Sequence, residues 1–276
     1  MTFRSRSSGF TLIEMVMVIV LLGILAGILA PVITQNITAY TATQARSDLI
    51  NRGRIALGRL ARELHQAVPN SVNVINPTTA EFVTSSVGGL YVDRNETRIS
   101  NGSCAIAKRF RPGFSLNTLC LLHTNDNAVA PFLSADVLVI ANSSVTELRT
   151  GITRVALTGV TPASPLWTVT FANHTFPNSS PGMHYSIVDS THEVGLSGTG
   201  INWLVNTGYN ATYDNIANNL TSQPLLIDGI NAAGANGGVL FDGSQLANGV
   251  LIVTLDLIDG NETITVQEEI YVRNTP

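Results

Sequence analysis

One carboxylic acid, Glu14, stands alone among the twenty-one residues 10–30, FTLIEMVMVIVLLGILAGILA. An ionised carboxylate at the centre of a bilayer costs about 2.5–3.5 kcal/mol or more, so an acid in such a segment calls for a cationic partner. Arg4 and Arg6 precede the run, and after Glu14 no charged residue occurs before Arg46. An acid at that cost marks a functional position rather than a plain apolar anchor.

The rest of the chain offers weaker constellations. Cys104 and Cys120 are the only cysteines, sixteen positions apart, and are expected to form a disulfide in an oxidising compartment, where two thiols persist as a bridge. Two separate buried thiols are the alternative, and a zinc site with His123 lacks a fourth ligand at a recognisable spacing. The five histidines stand apart, and neither His65 nor His192 belongs to an H-E-x-x-H motif, although Glu63 lies two residues before His65 and Glu193 follows His192. Residues 195–200, GLSGTG, lack both the nucleophile elbow and a dinucleotide fingerprint and are expected to form a turn. Asp256, Asp259, Asn261 and Glu262 present oxygens suited to calcium, but Asp259-Gly260-Asn261 reads more economically as a hairpin tip. Lys108-Arg109-Phe110-Arg111, followed by Phe114, has the composition of a single-strand nucleic-acid grip; a solvated loop covering its own aromatics is the favoured reading. Trp167 is expected in the core, and Trp203, Tyr209 and Tyr213 in loops. No catalytic set, metal site or cofactor motif is expected.

These residues must be positioned by a chain of 276 residues that is 45% hydrophobic and 12% charged, enough for an anchoring segment and one good-sized globular domain. The net charge of -4 hides an asymmetry. Residues 31–68 carry five Arg against Asp48 and Glu63, whereas residues 69–276 carry eight basic against sixteen acidic side chains. A head with that balance is not expected to bind nucleic acid, which needs clustered Lys and Arg. Nine Asn-x-Ser/Thr triplets follow from the abundance of Asn, Ser and Thr and are not taken as glycosylation sites.

As a helix, residues 10–30 span roughly 31 Å, the thickness of a bilayer's hydrocarbon core. The flanking arginines place residues 1–9 in the cytoplasm and everything beyond Pro31 outside. A cleaved secretory signal fits poorly: the run is too long, contains Glu14 and is followed directly by Pro31. A plain signal anchor explains the length but not the acid.

Gly9, followed by Phe10-Thr11-Leu12-Ile13-Glu14, a basic leader before it and Pro31 at the end of the run, resembles the processing site of type IV pilins and type II secretion pseudopilins. The resemblance implies cleavage by a prepilin peptidase between Gly9 and Phe10 and N-methylation of Phe10. It further implies pairing of Glu14 with the Phe10 amine of a neighbouring subunit, two charges tolerable together in only one register. Partners implied are other major and minor pilins, an inner-membrane assembly platform and the inner membrane itself. The subunit would be single-pass with its head in the periplasm, then part of an extracellular pilus or a periplasmic pseudopilus.

Pro31 is expected to bend or loosen the helix without ending it, with Gly23 and Gly27 adding softness. Beyond it, Leu49, Ala56, Leu57, Leu60, Leu64 and Val68 recur at helical spacing, and Pro69 stops the pattern. The expected division is a leader at 1–9, a membrane or filament-core helix at 10–30, an amphipathic stalk at 31–68 and a β-rich head at 69–276. The stalk arginines invite contact with acidic surfaces of adjacent pilins, or are an ordinary solvated face.

In the head, strands are expected at 71–75, 80–84, 89–93, 136–141, 152–158, 166–171, 184–188, 224–227, 249–257 and 262–272. Residues 195–238 read as a surface insertion with one short helix near 214–220. The fold class is α+β: a long N-terminal helix laid on an antiparallel sheet that includes the C-terminal hairpin. Residues 56–71, ALGRLARELHQAVPNS, and the ending Ile270-Tyr271-Val272-Arg273-Asn274 resemble MshO-type minor pilins of the mannose-sensitive haemagglutinin (MSHA) pilus. The R-L-x-R-E-L portion is similar also to PilW-type pilins and to the J-type pseudopilin of type II secretion. A membrane-anchored adhesin or periplasmic enzyme is the alternative from a different class.

Overall fold

The computed structural model describes residues 11–97, 99, 104–122, 135–162, 166–207, 209 and 224–273. It is an α+β molecule, as expected, built from a long N-terminal helix and two antiparallel sheets. By internal packing the chain divides into Met1–Asp48 and Leu49–Pro276. In the first unit, the described residues from Leu12 onward form the beginning of helix α1 (Leu12–Leu64).

In the second unit, the end of α1 is amphipathic. Leu49, Ala56, Leu57, Leu60 and Leu64 fall on one stripe and are buried, because residues three and four apart share a helix face. Gly53 lies on the same stripe, where a Cβ would stand 3.0 Å from Leu257 Cδ1 and 3.1 Å from Val266 Cγ2, so the backbone approaches the C-terminal hairpin closely. The helix ends four residues before Val68, the expected end. Val68 N donates to Val83 O at 2.8 Å, and this strand-like bond replaces the next helical one before Pro69 is reached.

The larger sheet contains β1 (Asn73–Asn76), β2 (Thr79–Tyr91), β3 (Ser115–Leu122), β4 (Val137–Ile140), β5 (Arg154–Thr161), β6 (Leu166–Thr175), β7 (His184–Ser197), β8 (Gly200–Thr207) and β9 (Leu225–Asp228). Its order is β1-β2-β3-β6-β5-β4-β7-β8-β9. Since β2 also pairs with β7 from Thr79↔Gly195 to Leu90↔His184, the strands β2-β3-β6-β5-β4-β7 close on themselves as a six-membered antiparallel ring. Inside it pack alternate residues of each strand, among them Leu119 and Leu121, Trp167 and Val169, Tyr185 and Ile187. A short helix, α2 (Val145–Thr150), is capped by Ser144, whose side chain accepts from Glu147 N, and ended by Gly151 at φ 81°.

Three expectations are corrected. The C-terminal hairpin, β11 (Val250–Asp259) and β12 (Glu262–Tyr271), does not join the main sheet but forms a second, three-stranded sheet with β10 (Val239–Asp242). Its tip is the expected one, with Asp259 opposite Glu262 and Gly260 at φ 59°. The described residues of 195–238 are not a surface insertion: they hold the end of β7, all of β8 and β9, and the core residues Ile201, Trp203 and Ile227. The helix expected near 214–220 lies outside the described residues. Finally, β3 passes through the disulfide loop where no strand was expected, its Leu119 and Leu121 alternating with Cys120.

The end of α1 therefore lies in one core with the β1, β2, β7, β8 and β9 side of the large sheet and with β10–β12, whereas the ring encloses a second core.

Candidate processing and assembly segment

Thr11 directly precedes α1 and Glu14 is its third residue, the arrangement of a capping box. Glu14 Oε2 lies 3.5 Å from both Thr11 N and Thr11 Oγ1, reaching back over the first turn. Both bonds are at the long limit, so Glu14 keeps acceptor capacity for another cation. The T-x-x-E signature at the start of an apolar run is the sequence signal for this helix start. Gly9 and Phe10, the expected cleavage pair, lie outside the described residues.

Every large apolar side chain from Leu12 to Ile37 is exposed within this chain, from 83% at Leu12 down to 46% at Leu29. This stretch is long and apolar enough to cross a membrane by length and composition. Each such side chain gains about 1.5–3 kcal/mol on full burial, so the segment demands lipid or other helices around it. Pro31 lies inside α1, and the helical assignment continues through it. Thr34 Oγ1 donates to Ala30 O at 3.1 Å and to Pro31 O at 3.0 Å, and Thr38 Oγ1 donates to Thr34 O at 3.1 Å. The hydroxyls are thus satisfied by the helix itself, which lets a Thr-rich stretch leave water without orphaned donors.

The stalk arginines are partly spent within the chain. Arg52 pairs with Asp259 at 3.4 Å, and the Arg59 guanidinium stands 5.0 Å from the centre of the Trp203 ring. Asp256 accepts from Thr265 Oγ1 at 2.6 Å. Asp256 and Asp259, two residues considered for calcium, thus have protein partners, and among the described residues no group of three His, Cys, Asp or Glu is placed to hold a metal.

Cys104 and Cys120 are bonded, with their Cα atoms 6.3 Å apart, and both are buried. The basic and aromatic run beside them is not the solvated loop expected, since Arg109 and Phe110 are buried, although Arg111 does cover Phe114. Buried Arg109 donates to Cys104 O at 3.2 Å, Glu96 O at 2.6 Å and Ile99 O at 2.7 Å, Phe110 lies in the ring's core, and Arg111 stacks over Phe114. His123 lies outside the described residues.

The sequence reading missed two buried polar arrays on β7. Its residues 189–193, DSTHE, look like a loop, but Ser190 to Glu193 are buried, because both faces of this central strand are covered. On the face toward α1, His192 Nε2 is 2.7 Å from Ser190 Oγ and 3.0 Å from Thr84 Oγ1, while Nδ1 accepts from Trp203 Nε1 at 2.9 Å. Phe82 stacks on the imidazole at 4.8 Å. Burial lowers the His192 pKa to about 4, against a smaller upward pull from Asp189, so the ring is neutral at pH 7. Trp203 is therefore a core residue rather than a loop aromatic. Trp167 is in the core as expected, Tyr209 donates its hydroxyl to Leu148 O at 3.2 Å, and Tyr213 lies outside the described residues. On the other face, Glu81 and Glu193 are cross-strand partners, both buried, and Arg149 of α2 forms an ion pair with Glu81. Asn73 Nδ2 donates to the same Glu81 oxygen at 2.6 Å. A buried carboxylate held this way binds α2 to the sheet, since losing either partner would strand a charge. Residues 197–200 form the expected tight turn, with Gly198 at φ 64°.

Residues 4–30 match the family signature described as the prokaryotic N-terminal methylation motif. The match spans the basic leader, Gly9, Phe10, Glu14 and the apolar run up to Ala30. No characterised protein and no solved structure gives a significant match to the chain.

Proposed function

We propose that the chain is a non-enzymatic subunit of a type IV pilin-like filament, and more narrowly a minor pilin of MSHA type that helps to initiate or assemble the pilus. A prepilin peptidase cleaves after Gly9, Phe10 becomes an N-methylated amine, and the apolar part of α1 holds the subunit in the inner membrane until it enters a filament with other pilins through the assembly platform. The observation that carries this reading is the methylation motif at residues 4–30, whose single acid opens a helix with an unburied apolar surface. In lipid or in a filament core, Glu14 of one subunit and the Phe10 amine of the next neutralise each other and fix the axial register. The MSHA assignment rests on the resemblance of residues 56–71 and of the C-terminal ending.

Substituting Glu14→Ala in otherwise wild-type cells tests the proposal. The variant is expected to stay in the membrane but to drop out of filaments by at least about tenfold, the factor that 1.4 kcal/mol of lost pairing produces. Thr11→Ala is the control: it weakens the cap by about 1 kcal/mol and leaves assembly in place. Unchanged assembly of Glu14→Ala would favour the reading in which the helix is only a tether for an adhesin or a periplasmic enzyme. Loss of protein secretion with piliation unaltered would assign the chain to a secretion pseudopilus.

A further inference from the structure

Where the chain leaves α1 and crosses to the ring, a chamber of about 590 Å3 opens between the helix exit, β2, the end of β4, the start of β7 and Arg273. Small-ligand sites commonly have volumes of a few hundred to about a thousand Å3. Its charge is one-sided. Among the described residues, those that line it include Arg273 and His184 but no Asp or Glu, in a head whose acidic residues outnumber basic ones two to one. Gln66 and Ser186 add hydrogen-bonding groups to the walls.

The walls are tied together. Asn142, 1% exposed, donates from Nδ2 to Pro69 O at 2.7 Å, accepts from Asn70 Nδ2 on its carbonyl at 2.8 Å, and accepts from Thr153 Oγ1 on its amide oxygen at 2.9 Å. Asn70 N donates in turn to Arg273 O at 3.1 Å, so the helix exit, the β4 exit and the β12 exit are held as one frame. The floor is kept low by Gly88 and Gly89; a Cβ on Gly89 would stand 2.8 Å from Leu122 O and 3.0 Å from the Tyr185 ring. Strain is concentrated here as well. Ala141, in the lining, and Asn70 and Met183, each next to a lining residue, have φ of 52°, 57° and 56°. Neither Ala nor Met gains a local hydrogen bond from the left-handed conformation, and disfavoured backbone of this kind persists where the surroundings over-determine it, often at ligand sites.

We propose that this chamber binds a small carboxylate-bearing polyol of hexuronate size, its carboxylate on the Arg273 guanidinium and its hydroxyls on the amide, hydroxyl and imidazole groups of the walls. The site is independent of the assembly role proposed above: it lies entirely in residues 66–273 and needs neither Glu14 nor Phe10. Arg donates two parallel bonds to a carboxylate, whereas a neutral sugar leaves that fork to water and inorganic phosphate leaves the polar walls unused.

The test is calorimetric titration of the full chain in detergent with glucuronate, methyl glucuronoside, glucose and inorganic phosphate. Either uronate is expected to bind saturably and at least about tenfold more tightly than glucose or phosphate; binding by the glucuronoside alone would point to a chain terminus as the natural form, and binding by both to the free acid as well. Arg273→Gln, at an exposed position, should lose at least about tenfold in uronate affinity with an unchanged melting temperature, and His184→Gln should lose several-fold. Equal affinity for glucose, tighter binding of phosphate, no saturable uronate binding, or an Arg273→Gln affinity equal to that of the parent would overturn the proposal. None of these outcomes depends on whether Glu14→Ala still assembles.

Discussion

Residues 12–37 and residues 49–64 belong to one helix and follow opposite rules. In the later stretch the apolar residues form a stripe, and Leu49, Leu57 and Leu64 are at most 2% exposed. In the earlier stretch apolar residues occupy all faces, and none is buried by the rest of the chain. A stripe is an instruction to pack on one neighbour; a fully apolar surface is an instruction to be surrounded. One continuous backbone therefore carries two addresses: its end is read by its own head, and its beginning by lipid or by other helices.

The largest expected effect separates these addresses by substitution. Leu57→Ala should destabilise the head by about 2–5 kcal/mol, because it leaves a cavity where α1 meets the sheets, whereas Ile19→Ala should leave the head's thermal unfolding unchanged. Comparable destabilisation by both would mean that the beginning of the helix supports the head. Chemical denaturation with tryptophan fluorescence reads both, since Trp203 lies in the affected core and Trp167 in the ring.

The disulfide gives the next effect. Cys104 and Cys120 close a loop against the ring, and replacing both by Ser should lower stability by roughly 3 kcal/mol in the chain-entropy picture. Because the change falls on the ring side of the head, membrane retention through residues 12–37 should be unaffected.

Conditional on pH, and reaching a comparable size only below pH 4, is the contribution of His192. Its folded pKa, about 4, lies below the ordinary 6.5 because burial disfavours the imidazolium. The unfolded chain therefore binds the proton first. Stability is unaffected above pH 6.5, falls as pH drops from 6.5 toward 4, and levels off below 4, the total reaching on the order of 3 kcal/mol. In His192→Gln this sloping segment of the stability profile should disappear; a parent profile that is flat between pH 6.5 and 4 would contradict the buried neutral ring.

The same contrast explains what could be read from the sequence. Helical periodicity placed the stripe at 49–64 almost residue by residue, and unbroken apolarity placed the segment before it, because both signals are local. The tip at Asp259-Gly260 was legible for the same reason. Polar stretches hid the rest. Residues 189–193 read as loop because burial on both faces of β7 is a property of the assembled sheet, where His192 finds Thr84 and Trp203, and Glu81 finds Arg149. The Gly- and Asn-rich segment around β8 concealed Ile201 and Trp203, whose alternation is short and whose partners lie far away in sequence. Closure of the ring through β2 and β7 left no local trace, since it depends on residues more than ninety positions apart. Of the candidate site, the acid at position 14 was evident at once, whereas its bond back to Thr11 emerged only with the helix start.

The central claim is that the chain's beginning is made to be cut and then surrounded by its like. Mass spectrometry of the protein extracted from membranes of cells with an active prepilin peptidase tests it most directly. The account predicts a mature chain beginning at N-methylated Phe10; a chain that still begins at Met1, or one cut within residues 26–30, would contradict it.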